Sequence, residues 1–299
     1  MPKVGDWVVV SLFGDEGKAI IHEVLPRQSK FSRKAVGPKT EEQVIAANLD
    51  TIFIVQGLDD NFNLRRLERY LVMVYEGGIQ PVIILNKADL CPNVQEKIAL
   101  TKSIAKEVPI VALSAATREG LPQLQEFLRE GLTCALAGSS GVGKSTLINS
   151  LIGEEILKTG EVRVKDSRGR HTTTHRELIA LSSGTLLIDT PGMRELQLWN
   201  SEEGMDETYS EIKQLSEQCH FADCTHTSER GCAVLLAVEE NRLPRERYQS
   251  YLKLNKELAY LDQKLDKHAY LEQKRKDKEL HRAIKRFRKW GRDVFQPPI

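Results

Sequence analysis

Gly138-Ser139-Ser140-Gly141-Val142-Gly143-Lys144-Ser145 is the stretch that decides the fold. It matches G-x-x-x-x-G-K-[ST], and it lies between an apolar run, Leu132–Ala137, and a helix-patterned run, Lys144–Leu151. A strand before and a helix after are the context this motif requires. Its glycines let backbone N–H groups turn inward around phosphate oxygens, and the helix N-terminus adds a positive dipole. Lys144 then neutralises β/γ-phosphate charge, and the Ser145 hydroxyl takes a position on Mg²⁺. Thr146 completes the predicted nucleotide-contacting set.

Working outward, the flanks alternate strand and helix patterns. Thr51–Gln56 is an apolar, β-branched run, and Leu64–Tyr75 repeats apolar residues at helical spacing. Strand Pro81–Leu85, helix Val94–Glu107, strand Pro109–Leu113 and helix Leu121–Arg129 follow. Downstream lie strands Arg176–Leu181 and Thr185–Ile188 and a helix over Asp206–Glu217. Alternation of this kind predicts an α/β fold with a parallel sheet covered on both faces. Before residue 49, Val8–Leu12, Ala19–Leu25 and Gln43–Ala47 read as short β segments, with Lys30–Thr40 as a polar loop. That is too short for a complete five-stranded barrel.

Three further motifs choose the nucleotide. Asp189-Thr190-Pro191-Gly192 ends the Thr185–Ile188 strand, placing Asp189 toward the Mg²⁺ shell and the Gly192 N–H toward the γ-phosphate. Asn86-Lys87-Ala88-Asp89 and Ser114-Ala115 follow strands, at carboxyl ends where open α/β sheets bind ligands. The Asp89 carboxylate can accept from N1–H and the 2-amino group of guanine together, and adenine offers neither donor. A site built on such bonds discriminates by up to roughly 10⁴–10⁵. Asn86 is expected at the other edge of the base, the Lys87 stem along the ring, and Ser114-Ala115 beside it through backbone contacts. GTP and GDP are therefore the expected ligands.

The order of these motifs is unusual. Ordinary small GTPases run from phosphate loop through D-x-x-G to N-K-x-D, whereas here the base-reading motifs come first. A circular permutation preserves the site and joins the D-T-P-G segment directly to the C-terminal region. In ordinary enzymes a Gln shortly after D-x-x-G orients the attacking water, but Met193 and Arg194 follow Gly192 here. The polar segment Arg168–Thr174 is the best substitute, and one of its threonines, with Thr173 the first choice, is expected to bind Mg²⁺ as the switch residue.

Cys219-x₄-Cys224-x-His226-x₅-Cys232 brings three thiols and an imidazole within 14 residues, matching a closed structural Zn²⁺ site. Spacing alone leaves His220 open as the imidazole ligand. Beyond it, Tyr251, Leu254, Leu258, Leu261 and Leu265 form a helical stripe. Residues 274–292 then carry ten Lys and Arg against two acidic residues, interleaved with Phe287 and Trp290, a pattern suited to an RNA backbone. The total charge of +1 conceals this division. Residues 242–299 hold 17 basic and eight acidic side chains, a net of +9, and the remainder carries −8. The sequence contains neither a membrane-length apolar run nor a secretory signal pattern, and its five cysteines are an odd, scattered set. A cytoplasmic monomer without membrane contact is expected.

With these motifs in this order the chain resembles the circularly permuted GTPases of the YjeQ/RsgA family, the ribosome small-subunit-dependent GTPases. The resemblance runs through Gln43–Asp50, Phe62–Leu71, Gly169–Thr174, Asp189–Leu196 and the cysteine cluster. It implies an N-terminal OB-like barrel, which is short here, a permuted GTPase, and a C-terminal zinc domain. The corresponding divisions are residues 1–48, 49–200 and 201–299. The resemblance further implies that His171 positions the attacking water, that His226 rather than His220 binds Zn²⁺, and that the protein acts late in 30S subunit maturation on its rRNA. The rival expectations are a GTP switch for a non-ribosomal RNA or protein, and a GTP-binding scaffold with little turnover.

Overall fold

Val8–Phe13 (β1) and Lys18–Val24 (β2) pair antiparallel as a hairpin of their own. Its apolar residues stay in solvent: Leu12 is 79% exposed, and Trp7, Phe13, Ile20 and Ile21 are exposed as well. The computed structural model describes residues 1–14, 18–35, 37, 40–154, 177–190, 196–199 and 201–294, with side chains only in part beyond residue 267. Lys30–Lys34 (β3) is a strand where the sequence predicts a loop, and it pairs antiparallel with Glu42–Ala47 (β4). Four of its five residues are polar, which hides the pattern, but Phe31 is fully buried and anchors it. Among the described residues the two hairpins are separate two-stranded sheets, and no closed barrel forms.

The central sheet follows the predicted alternation. Thr51–Gly57 (β5) leads through Leu64–Glu76 (α1) to Gln80–Asn86 (β6). A 3-10 turn at Ala88–Leu90 and helix Val94–Lys102 (α2) precede Ile110–Ala112 (β7). Leu121–Gln125 (α3), Thr133–Ala137 (β8) and Lys144–Ile152 (α4) complete the first half. Leu178–Ala180 (β9) and Leu186–Asp189 (β10) complete the sheet. The strand order is β7-β6-β5-β8-β10-β9, parallel throughout except for β9, which runs antiparallel to β10 at the edge. Phe53, Val55, Ile84, Leu136 and Leu187 pack on one face with Leu124 of α3 and Leu147 and Ile148 of α4. Alternate residues Ile52, Ile54, Ile83 and Leu85, which face the opposite way, are equally buried, as a two-sided sheet requires.

Several helices differ from their predicted spans. α2 stops at Lys102, where the Thr101 and Ser103 hydroxyls donate to the carbonyls of Lys97 and Leu100 and Pro109 lies ahead. α3 gives way after Gln125 to turns. The helix expected over 206–217 is two, Glu202–Thr208 (α5) and Ser210–Ser216 (α6), broken at Tyr209. The Tyr209 ring is fully buried under the Arg247 guanidinium, 4.2 Å away. A short helix not predicted, Ala233–Glu239 (α7), precedes the long Arg245–Val294 (α8).

The chain divides into two compact units, Met1–Leu252 and Lys253–Ile299. In the second, Leu254 and Leu261 of the predicted stripe are buried, while Tyr260, Tyr270 and Leu271 are exposed. Among the described residues no helix is long and apolar enough to cross a membrane.

Candidate nucleotide site and cysteine cluster

Because β5, β6, β7, β8 and β10 are mutually parallel, the segments following β6, β7, β8 and β10 emerge at one edge of the sheet. Asn86, Ser114, the 138–145 loop and Asp189 therefore converge without being neighbours in sequence. The loop passes close to its surroundings. A Cβ on Gly138 would lie 2.6 Å from the Val55 carbonyl oxygen, and one on Gly143 would lie 2.3 Å from Asn86 Nδ2. Gly143 also has φ +94°, a region other residues enter only with strain. Ser140 and Gly141 at the crest are exposed, and Ser145 and Thr146 are half-buried.

Lys144 is turned into this loop. Its Nζ donates to the carbonyls of Gly138 at 3.0 Å and Ser139 at 2.9 Å. Burial pushes its pKa down to about 8, against the opposing charge of the buried Asp189. The Thr190 hydroxyl donates to the Leu136 carbonyl, tying β10's end to β8. Ser145 and Asp189 supply oxygen donors, the ligand chemistry Mg²⁺ takes.

The residues expected to read the base are bound into the loop more tightly than the sequence suggests. Asn86, nearly fully buried, donates through Nδ2 to the Val142 carbonyl and accepts through Oδ1 from the Ala115 N–H, each at 2.9 Å. Both amide atoms thus clamp the phosphate loop to the Ser114-Ala115 turn, a role beyond the predicted contact with the base. Lys87 has φ +65° and reaches Gly141 O at 2.7 Å and Asp59 Oδ2 at 2.6 Å. Ser114 is fully buried, its hydroxyl accepting from Thr117 N. Asp89 is exposed, its carboxylate open to a ligand.

Two residues that no motif contains complete the site. Asp59, just beyond β5, pairs with Lys87; burial opposes its charge, but the bonds from Lys87 and Asn61 hold its carboxyl below the usual range. Arg66 of α1 donates to the Ser139 hydroxyl at 3.0 Å. Neither belongs to a nucleotide motif, although Arg66 falls within the Phe62–Leu71 stretch that carries the family resemblance, and both follow the strand β5. His171, Thr173 and Gly192 lie outside the described residues.

The cysteine cluster assembles as four donors. Cys219, Cys224, His226 and Cys232 bring their ligand atoms within 4.8 Å of one another, and all three cysteines are free thiols. Cys219 Sγ lies 3.9 Å from Cys232 Sγ, and His226 Nδ1 lies 3.6 and 3.4 Å from the two. A zinc tetrahedron with ordinary Zn–S and Zn–N bonds has edges of about 3.6–3.8 Å, so the set is consistent with a zinc site. His226 is held there with φ +58° by the Tyr248 hydroxyl, which donates to its carbonyl at 2.6 Å. Burial lowers the pKa of its imidazole, favouring the neutral form that binds metal. His220, left open by spacing, is exposed and stacks edge-on against Phe221 instead.

Comparison with known proteins agrees with this geometry. The family model described as RsgA GTPase matches residues 24–199, and one described as 50S ribosome-binding GTPase matches residues 133–280. A small ribosomal subunit biogenesis GTPase RsgA from Opitutus terrae is 49% identical over 275 residues, covering 89% of this chain and 75% of the relative. The protein of the same name from Methanosarcina acetivorans is 46% identical over 293 residues, covering 97% and 78%. The crystal structure of YjeQ from Thermotoga maritima superposes with a TM-score of 0.62 at 29% identity, covering 87% of this chain and 85% of that one. The structure of YloQ, described as a circularly permuted GTPase, gives 0.60 at 26%, covering 89% and 82%. Family membership implies a guanine nucleotide and Mg²⁺, for which the oxygen and ammonium donors described above are suited. A sheet whose base-reading loops precede its phosphate loop in the chain, matched in this way, places the protein in the RsgA GTPase family, as a circularly permuted P-loop GTP hydrolase.

Proposed function

We propose that this chain binds the small (30S) ribosomal subunit and hydrolyses GTP late in its maturation, with nucleotide state setting its release. The observation that carries the reading is similarity over most of the chain to proteins named for small-subunit biogenesis, and it is supported by the contacts that join Asn86, Ala115, Val142 and Lys144 around the 138–145 loop. The basic 274–292 segment supports contact with rRNA, since phosphate neutralisation favours such charge. Residues 1–48, 49–200 and 201–299 serve as a β module, the GTPase and a zinc-binding helical region acting in a monomer.

Within the site, the backbone of Gly138 to Thr146 and the Lys144 ammonium hold the phosphates. Asp89 selects guanine, while Asn86, Lys87, Ser114 and Ala115 fix the pocket around it. Ser145 and Thr173, with Asp189 in the outer shell, would hold Mg²⁺, which would supply charge neutralisation at the phosphates. His171 orients the attacking water, and the Gly192 N–H meets the γ-phosphate. Cys219, Cys224, His226 and Cys232 would bind one structural Zn²⁺, ordering the connection between the short helices α6 and α7.

GTP turnover measured with purified 30S, 50S and 70S particles tests the reading. Stimulation by 30S above the other two is expected. Equal or greater stimulation by 50S would favour a second reading, action on the large subunit, for which the match to a family model described as 50S ribosome-binding GTPase over residues 133–280 speaks. No stimulation by any particle would leave a GTPase switch or scaffold for another partner.

A further inference from the structure

Two cations of the nucleotide site have carboxylates close by. Lys87 pairs with Asp59, and Lys144 lies beside Asp189. Arg66 has no carboxylate partner among the described residues. Its position is nonetheless well defined. The Asn63 side chain caps α1 by accepting from the Arg66 N–H at 2.9 Å, and Arg66 Nη1 reaches Ser139 Oγ at 3.0 Å. The carbonyl of that same Ser139 accepts from Lys144 Nζ at 2.9 Å. One residue at the start of the phosphate loop therefore holds an ammonium through its backbone and a guanidinium through its side chain.

These two cations are not equivalent. Lys144 is buried, its pKa is pushed down to about 8, and it lies beside Asp189, whereas Arg66 has no carboxylate beside it among the described residues. An unpaired guanidinium behind a loop built to hold polyphosphate is neutralised when the anion arrives, and the effect grows with the anion's charge. A carboxylate partner would cancel that field; none is present among the described residues.

We propose that Arg66 is a positioning residue of the phosphate site: through Ser139 it fixes the first turn of the loop and sets a permanent positive charge behind it, favouring nucleoside triphosphate over diphosphate. This rests on reading residues 138–145 as the phosphate loop.

The test compares affinities of the full chain for GDP and for a non-hydrolysable β,γ-imido GTP analogue in Arg66→Gln, Arg66→Lys and Ser139→Ala variants. Arg66→Gln keeps a hydrogen-bond donor and loses the charge. It should weaken the triphosphate about tenfold and the diphosphate about threefold, since the lost Coulomb attraction is larger for the more highly charged anion. Arg66→Lys should keep most of the triphosphate preference. Adding Ser139→Ala to Arg66→Gln should cost little more, because the two act through one contact. An unchanged ratio of the two affinities in Arg66→Gln would reduce Arg66 to a brace and overturn the inference while leaving the phosphate loop intact. Failure of the unaltered protein to bind either nucleotide would overturn the loop reading and the inference together. Melting temperatures of the variants separate either result from misfolding.

Discussion

Replacing Arg247 by Met should destabilise the protein by about 3 kcal/mol, because the side chain closes a buried polar network between α1 and the C-terminal segments. The guanidinium is 4% exposed and donates to Glu68 Oε1 at 2.8 Å, Glu211 Oε1 at 2.7 Å and the Thr208 carbonyl. Its face lies over the Tyr209 ring. Glu68 is fully buried and also takes bonds from Arg65 at 2.6 Å and from the Ser250 hydroxyl. Breaking a buried pair by removing one ion costs about 3–5 kcal/mol. The lower end applies here, because Arg65 remains to neutralise Glu68, and Glu211, 37% exposed, can rehydrate. At about 2–4 °C per kcal/mol, the Tm should fall by roughly 6–12 °C. Glu68→Leu alone should cost about 2 kcal/mol or more, since Arg247 keeps Glu211 but loses half its charge compensation. The double variant Glu68→Leu/Arg247→Met should be better than the sum of the singles by about 2 kcal/mol, as removing both ions leaves no orphan. Thermal and urea melts of the four proteins give the comparison. Strict additivity, or a shift below about 2 °C for Arg247→Met, would show that the network contributes little, refuting the reasoning.

Lys144, with its pKa pushed down to about 8, should take up roughly half a proton when GDP binds at pH 8, since phosphate favours the ammonium. GDP affinity should then weaken as pH rises through 8. Nucleotide-free stability should rise with pH between about 8 and 10.5, where the unfolded lysine holds more proton than the folded one. Calorimetry in buffers of different ionisation enthalpy measures the uptake, and a value near zero at pH 8 would contradict it. The purified protein should contain one zinc per chain by elemental analysis, lost in Cys232→Ser and His226→Ala and retained in His220→Ala. Retention in the first two and loss in the third would reverse the ligand assignment.

Most of the nucleotide site was legible because its motifs are local. A glycine-rich turn between a strand and a helix reads as such wherever it occurs, and N-K-x-D and S-A announce themselves at strand ends. What escaped were residues whose role lies in a distant partner. Lys30–Lys34 looks like a loop until Phe31 is buried and Glu42–Ala47 lies beside it. A single helix over 206–217 fits the local pattern, but Tyr209 is drawn beneath Arg247 and the helix breaks there. Asp59 and Arg66 carry no motif, and only their contacts with Lys87 and Ser139 reveal them.

The sequence alone was enough to supply the candidate chemistry: a glycine-rich loop of the kind that cradles phosphate, a carboxylate of the kind that distinguishes guanine, and four side chains able to hold a metal. Each depends on residues within a few positions of one another, where backbone geometry and side-chain type suffice. The tertiary structure decided the pairings. It turned Asn86 into a clamp between the phosphate loop and Ala115, and chose His226 over His220. It also joined Glu68 to Arg247 across 179 residues of chain. Buried polar groups must find partners, and a long chain supplies them from wherever the packing of the sheet and helices brings one within hydrogen-bond reach.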